Sequence, residues 1–240
     1  MQYAIFDQQS ILKEKRIIMP DSLKKSQVRR NEILKASQEL FHEKGFHKTA
    51  VIDIMKRVGC AKGAFYYYYD SKENVLDALV NINIMQLEDA FSKIANNGNL
   101  NALEKLKLIL IKEINLSFDN YHPENHLHDI QNVDMHQKIM VGMNSRISPI
   151  IGMVVKQGVQ DGIFKTNYPL EVTEILVAGI HLISDFGIFH WNKQQYLSRM
   201  KAAAELIEKS LSLDEGCFNF LADLLCSVPE IAELTSSGEK

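Results

Sequence analysis

The stretch from Val58 to Glu73 constrains the fold more than any other part of the chain. Gly59 closes a short apolar-periodic segment, Lys62-Gly63-Ala64-Phe65-Tyr66-Tyr67-Tyr68-Tyr69 follows, and Ser71 opens a further helix on Lys72. Glycine supplies the left-handed stop of one helix and serine the hydroxyl cap of another, so a short helix crowded with aromatics lies between them. That layout is a helix-turn-helix reader of DNA. Phe65 and Tyr69 stand four apart on one face, which predicts that they plug the core of a three-helix head. Lys62, Gly63, Ala64, Tyr67 and Tyr68 then point outward, and Tyr66 lies between the faces, open to either role.

Those outward residues suit a duplex. A phenol donates to phosphate and its ring meets a thymine methyl, while Gly63 and Ala64 let the backbone approach the major-groove floor. Lys62 is placed to donate to guanine O6 and N7. Lys72, at a helix N-terminus where unpaired N–H groups already attract an anion, is expected to hold a phosphate. Thr49 offers the same combination at the start of the preceding helix. Lys24, Lys25, Arg29 and Arg30 are either flanking phosphate contacts or a solvated charge run.

Helical periodicity runs along the rest of the chain. Ile33, Ser37, Leu40 and Phe41 share a face between Ser26 and Lys44, and Gly45 stops that helix. Thr49 is expected to cap the next, with Val51, Ile54, Met55 and Val58 inside. The Ser71-capped fourth helix buries Leu76, Leu79, Val80, Leu87, Phe91 and Ile94 before Asn96-Asn97-Gly98-Asn99 breaks the chain. A stripe of Leu103, Leu106, Leu110, Ile114 and Ser117 follows, then a shorter helix between Asn125 and Met143. Ser148-Pro149 reads as a cap with an N1 proline and Gly162 as the stop. One helix is expected from Pro169 to about Trp191, another through Tyr196, Met200, Ala203, Ile207 and Leu211, and a last short one from Asp214 to Ser227. No strand and no repeat is evident, so the fold class is all-α.

Charge divides the chain where the fold is expected to divide. Residues 22–72 hold 11 Lys/Arg against 5 Asp/Glu, whereas residues 73–240 hold 13 against 22. A basic head on an acidic body fits a head that meets phosphate and a body that does not. The expected organisation is an extension over 1–25, a DNA-binding domain over 26–72, and an effector-binding and dimerisation domain over 73–240. Met19-Pro20-Asp21 would also make a natural start, with Lys13-Glu14-Lys15-Arg16 read as purine-rich codons; N-terminal sequencing of the native product checks this. Three separated cysteines suit a reducing cytoplasm, and no apolar run is long enough to span a bilayer.

Taken together, the run Ile33-Leu34-Lys35-Ala36-Ser37-Gln38-Glu39-Leu40-Phe41-His42-Glu43-Lys44-Gly45-Phe46, then Thr49, Ile54, Gly59, Lys62-Gly63-Ala64-Phe65-Tyr66 and Ser71-Lys72-Glu73, resembles the TetR family of bacterial repressors. The resemblance covers about residues 26–76. It implies a three-helix reader joined by the fourth helix to an all-helical ligand-binding and dimerisation domain. It further implies phosphate contacts from Thr49, Tyr67, Tyr68 and Lys72, and base-edge contacts from Lys62, Ala64 and Tyr66. Ala50, Met55 and Ala64 depart from the family's usual residues, as does the 25-residue extension.

Within the body, the segment after Pro169 is apolar around nearly its whole circumference, so it needs cover on two sides. A homodimer supplies the second, with Leu176, Gly179, Ile180, Ile183, Gly187, Ala203, Ala204 and Ile207 as the expected interface. Met85, Phe91, Phe118, Met135, Met143, Met153, Ile180 and Phe186 are the candidate lining of a pocket for an apolar or amphipathic effector. His122, His126, His128, Asp134 and His136 do not space as metal ligands, and no metal or cofactor is expected. The function expected is a repressor of a palindromic operator, released by a small molecule. The alternatives are a helical carrier with a vestigial reader and an enzyme, for which no Gly-rich phosphate loop, HExxH or nucleophile elbow is present.

Overall fold

A computed structural model describes residues 21–119, 133–184, 189 and 191–226. These form α1 (Asp21–Lys44), α2 (Val51–Val58), α3 (Lys62–Tyr68), α4 (Lys72–Ala95), α5 (Ala102–Asp119), α6 (Val133–Gly142), α7 (Ser148–Gln160), α8 (Pro169–Ile183), α9 (Lys193–Leu211) and α10 (Phe220–Cys226). No strand occurs among the described residues. None of the described helices is long and apolar enough to cross a membrane.

The head is built by α1, α2 and α3 around Ile33, Leu40, Phe41, Phe46, Ile54 and Phe65, all buried. Ser37, on the same inner face, is satisfied by donating from Oγ to the Ile33 carbonyl at 2.7 Å. Gly59 ends α2 at φ +67°, and Cys60 N–H then reaches back to Met55 O at 3.0 Å. Only a residue at ease in the left-handed region closes this turn without strain.

Ser71 caps α4 by accepting from Asn74 N–H at 3.2 Å. The N-terminal half of α4 buries Val75 and Leu76 against the head, and its later turns bury Val80, Ile84 and Phe91 among α5, α6 and α7. One core therefore runs from head to body through α4. In the body, α7 packs most extensively on α8, where Gly152 lies against Leu170. At Gly158 a Cβ would stand 2.2 Å from the Phe164 ring, which the turn after α7 brings against that helix.

Four expectations need correction. The first helix begins at Asp21, so it takes in residues assigned to the extension. Thr49 does not cap α2: its hydroxyl is buried and faces Gly45 O at 2.8 Å and Leu40 O at 3.2 Å. Ala50 holds the cap position instead, and Asp53 reaches back to its N–H at 2.9 Å. No cap interrupts the chain at Ser148. One π-helical turn, Met143–Ile147, runs straight into α7. Pro149 cannot donate to Ser145 O four residues back, and the widened turn sits at that point. Finally, α8 ends at Ile183, and Trp191 folds back to donate from its indole N–H to Ile183 O at 3.1 Å.

Candidate nucleic-acid interface and body surfaces

The geometry of α3 divides its aromatics cleanly. Phe65 and Tyr69 point inward and are 0% and 5% exposed, while Tyr67 is 75% exposed and Tyr66 44%. Tyr68 lies half-buried against the core, edge-on to Tyr67 at 4.9 Å. Arg30 of α1 braces the helix, donating from Nε to the Tyr69 hydroxyl at 3.2 Å. Burial pushes that phenol above its ordinary value, and Arg30 pulls it partly back.

On the outer side, Lys62 extends over the Tyr66 ring at 5.9 Å. A Cβ at Gly63 would meet nothing of this protein within 4 Å. Ala64, Tyr67 and Tyr68 line an open groove of about 680 Å³ against Lys25, Ser26, Val28, Arg29 and Glu32 of α1. The outer side of α3 therefore adjoins Lys25 and Arg29. Between α1 and α2, Arg57 holds Glu43 through two hydrogen bonds at 2.9 and 2.7 Å, and Lys44 holds Asp53 at 2.6 Å. These contacts keep the Glu43 and Asp53 carboxyls below their ordinary range.

Two expected phosphate contacts are placed otherwise. Thr49 is 1% exposed and its hydroxyl is engaged by backbone carbonyls. Lys72 turns its ammonium into the head, donating to Phe46 O at 2.8 Å, Thr49 O at 3.0 Å and His47 O at 3.4 Å, over the Phe46 ring at 4.4 Å. The carbonyls that close the loop after α1 lie within reach of the long side chain. An ammonium has three N–H donors, and here each finds an oxygen. Lys72 thus ties α4 to the reader as a positioning residue.

The body candidates scatter. Phe91 and Met143 are buried in the core, and Ile180 is half-buried against it. Met85 and Met153 point to solvent instead, so they do not line an enclosed pocket. The side chains of Phe118 and Met135, and Phe186 altogether, lie outside the described residues, as do His122, His126 and His128. Among the described residues no group of His, Cys, Asp and Glu is arranged to hold a metal ion.

The interface candidates also need correction. Ala203, Ala204 and Ile207 are 8% exposed or less and face their own core, and Ile183 packs on Tyr196 and Met200. Leu176 and Ile180 lie half-buried against the core, Gly179 is exposed, and Gly187 falls outside the described residues. The outward apolar stripe of α8 is Ile175, 72% exposed, with Gly179 and Leu182, and on α9 Leu206 is 52% exposed. Periodicity missed it because α8 is apolar on every side. Only its packing on α7 selects the inward face.

Sequence reasoning also missed the seam between α4 and α6. An open cleft of about 620 Å³ lies there, lined by Phe46, Leu76, Val80, Ile84, Val141 and Arg146 among others. Lys138 pairs with Asp77 across it, and Arg146 of the π turn grips Glu88 through Nε at 2.8 Å. These partners are far apart in sequence, so no local pattern announced them.

Residues 33–79 match the model of the bacterial regulatory proteins, tetR family, and residues 115–206 that of the tetracyclin repressor-like C-terminal domain. The fatty acid metabolism regulator protein of Bacillus subtilis is 24% identical over 152 residues, covering 62% of this chain and 77% of its own. The transcriptional regulator QacR of Staphylococcus aureus is 28% identical over 94 residues, 39% of this chain and 48% of its own. Among solved structures, SmeT of Stenotrophomonas maltophilia, a repressor of a multidrug efflux pump, superposes with a TM-score of 0.59 at 20% identity. It covers 79% of this chain and 92% of its own. FadR of Bacillus subtilis, solved with stearoyl-CoA, gives 0.57 at 22%, covering 75% and 97%.

Proposed function

The chain belongs to the TetR family of bacterial regulatory proteins, and from that premise we propose that it is a cytoplasmic, homodimeric repressor of a palindromic operator, released by an amphipathic small molecule. Residues 26–72 act as the reader and 73–240 as the effector-binding and dimerisation domain. The observation that carries the reading is the outer side of α3. Tyr66, Tyr67 and Gly63 stand open beside Lys62, on a helix locked from beneath by Phe65 and Tyr69.

Lys62, Gly63, Ala64 and Tyr66 approach base edges, and Tyr67 and Tyr68 phosphate, with Lys25 and Arg29 across the groove. Thr49 and Lys72 hold the reader in place. Two copies joined along Ile175, Gly179, Leu182 and Leu206 present two readers, which must lie about 34–36 Å apart to enter successive major grooves. The effector acts through α4, whose N-terminal turns pack in the head and whose remainder packs in the body. A ligand that favours a splayed dimer shifts that population, and a coupling of about 1–3 kcal/mol changes operator affinity about 5–150-fold. The relative named for fatty acid metabolism supports an effector with a long apolar part.

Selection of duplexes from a random pool, followed by gel retardation, tests the reading. It should return a palindrome whose affinity falls steeply with salt. Gly63→Leu should abolish retardation without changing helix content, because the new side chain meets only DNA. Retardation that survives Gly63→Leu, or a pool that never converges, would falsify the proposal.

A further inference from the structure

Cations of the head differ in what holds them. Lys44 is spent on Asp53 at 2.6 Å, Arg57 on Glu43 at 2.7 Å, and Lys72 on three backbone carbonyls. Lys62 opens α3, whose first turn holds no acidic residue and whose dipole there opposes a positive charge. Among the described residues no carboxylate pairs with it. What it meets is a ring. Its ammonium stands 5.9 Å from the centroid of Tyr66, one turn on along the same helix face.

Tyr66 is itself held in place. Its ring stands edge-on to Phe65 at 5.4 Å and 82°, and Phe65 is wholly buried at the centre of the head. Between the two partners come Gly63 and Ala64, and a Cβ at Gly63 would meet nothing within 4 Å. The pair therefore stands on the open side of α3 without cover from its own helix. A lysine loses rotamer freedom when it is ordered on a base edge, and a ring that already draws the ammonium to one place lowers that cost. The attraction comes from the face of the ring, so it needs no hydroxyl.

Resting on the repressor reading above, we propose that Tyr66 is a specificity-determining positioning residue: its ring holds the Lys62 ammonium for guanine O6 and N7. Each operator half-site then carries a guanine whose recognition depends on the Tyr66 ring and not on its phenol oxygen. Tyr66 takes its part at the base edges through Lys62.

The test uses full-length protein and the duplex selected from a random pool. Affinity is measured at fixed salt for that duplex and for versions with each half-site G·C pair changed to A·T. Lys62→Met should reduce the preference for one guanine by at least about fivefold. Tyr66→Leu should reduce the same preference about two- to fivefold, the range of an exposed cation–π contact. Tyr66→Phe should keep it. In the double variant Lys62→Met/Tyr66→Leu, the loss should equal that of Lys62→Met alone. The salt slope of Tyr66→Leu should match wild type, since no phosphate contact is removed, and unchanged melting curves show that the fold is intact. A merely structural role for Tyr66 would weaken binding to all duplexes alike and leave the guanine preference where it was.

Loss of the preference in Tyr66→Phe overturns the proposal, because the hydroxyl would then be the reader. So does a wild-type preference in Tyr66→Leu, an additive loss in the double variant, or a Lys62→Met protein with no altered base preference. Each of these leaves the repressor reading standing as long as the pool converges on a palindrome. A pool that never converges sinks that reading, and the role of the pair with it.

Discussion

The head and the body meet the same physical problem with different resources. In the head, α1 and the short helices α2 and α3 enclose Phe65, which sets the direction of its neighbours on α3, with Tyr69 inward and Tyr67 outward. In the body, α8 carries apolar residues on all sides, and its inward face is set by α7, where Gly152 lies against Leu170. A short amphipathic helix orients itself. A uniformly apolar one is oriented by its neighbours.

The sharpest test of that contrast is within α3. Phe65→Ala removes the ring at the centre of the head and should cost about 3–5 kcal/mol, measured by denaturant melts. Tyr67→Ala, two residues on, should stay within about 0.5 kcal/mol of wild type and show its effect in operator affinity instead. Equal losses of stability from the two would mean that the outer side of α3 is packed, and the contrast would break.

The body has its counterpart in Glu113. With the folded group pushed up to about 7 from 4.5 when exposed, the native state binds the extra proton between those values. Stability is therefore fullest below about pH 4.5, falls as pH rises, and levels off above about 7. The total change is about 3 kcal/mol. Glu113→Gln should flatten this slope relative to wild type, with all other titrations cancelling in the difference. A wild-type profile parallel to that of the variant would show that Glu113 is well solvated.

Next comes the junction. Lys72→Met keeps the stem and removes the ammonium from three carbonyls, which should destabilise the head by about 1–3 kcal/mol. The same change should leave the salt dependence of operator binding unaltered, since no phosphate contact is lost. A salt slope shallower by about one unit would return Lys72 to the DNA.

What the sequence disclosed follows the same division. The glycine stop at Gly59, the Ser71 cap and the Phe65–Tyr69 spacing are local, so the helices of the head and the inward side of α3 were legible; Tyr68, expected outward, packs half-buried against the core. The family resemblance to residues 33–46 and 62–73 reinforced the reading of the head. Thr49 and Lys72 misled because each has a nearer non-local use: a threonine before a helix reads as a cap, and a lysine at a helix start reads as an anion site. Glu113 gave no signal at all. A glutamate in the stripe between Leu110 and Ile114 looks solvated, and only the folded body around it pushes its carboxyl above the ordinary range. The outward set of Ile175, Leu182 and Leu206 was hidden for the reason given for α8.

The smallest effect probes whether surface pairing stabilises the head or only shapes its field. Arg57 is well exposed and joins α2 to Glu43 and Glu39 of α1. Coulomb attraction between exposed groups is weak in water and is offset by the entropy of holding long side chains. Arg57→Gln should therefore lower stability by about 1 kcal/mol or less, and 0.5 M salt should erase the difference by screening. Its effect on DNA should be clearer at low salt: with Arg57 gone, Glu39 and Glu43 add unneutralised negative charge to a basic head, so operator affinity should fall modestly. A loss of stability that persists in high salt would instead make the pair a structural clasp between α1 and α2. The head would then depend, like the body, on contacts that no local pattern reveals.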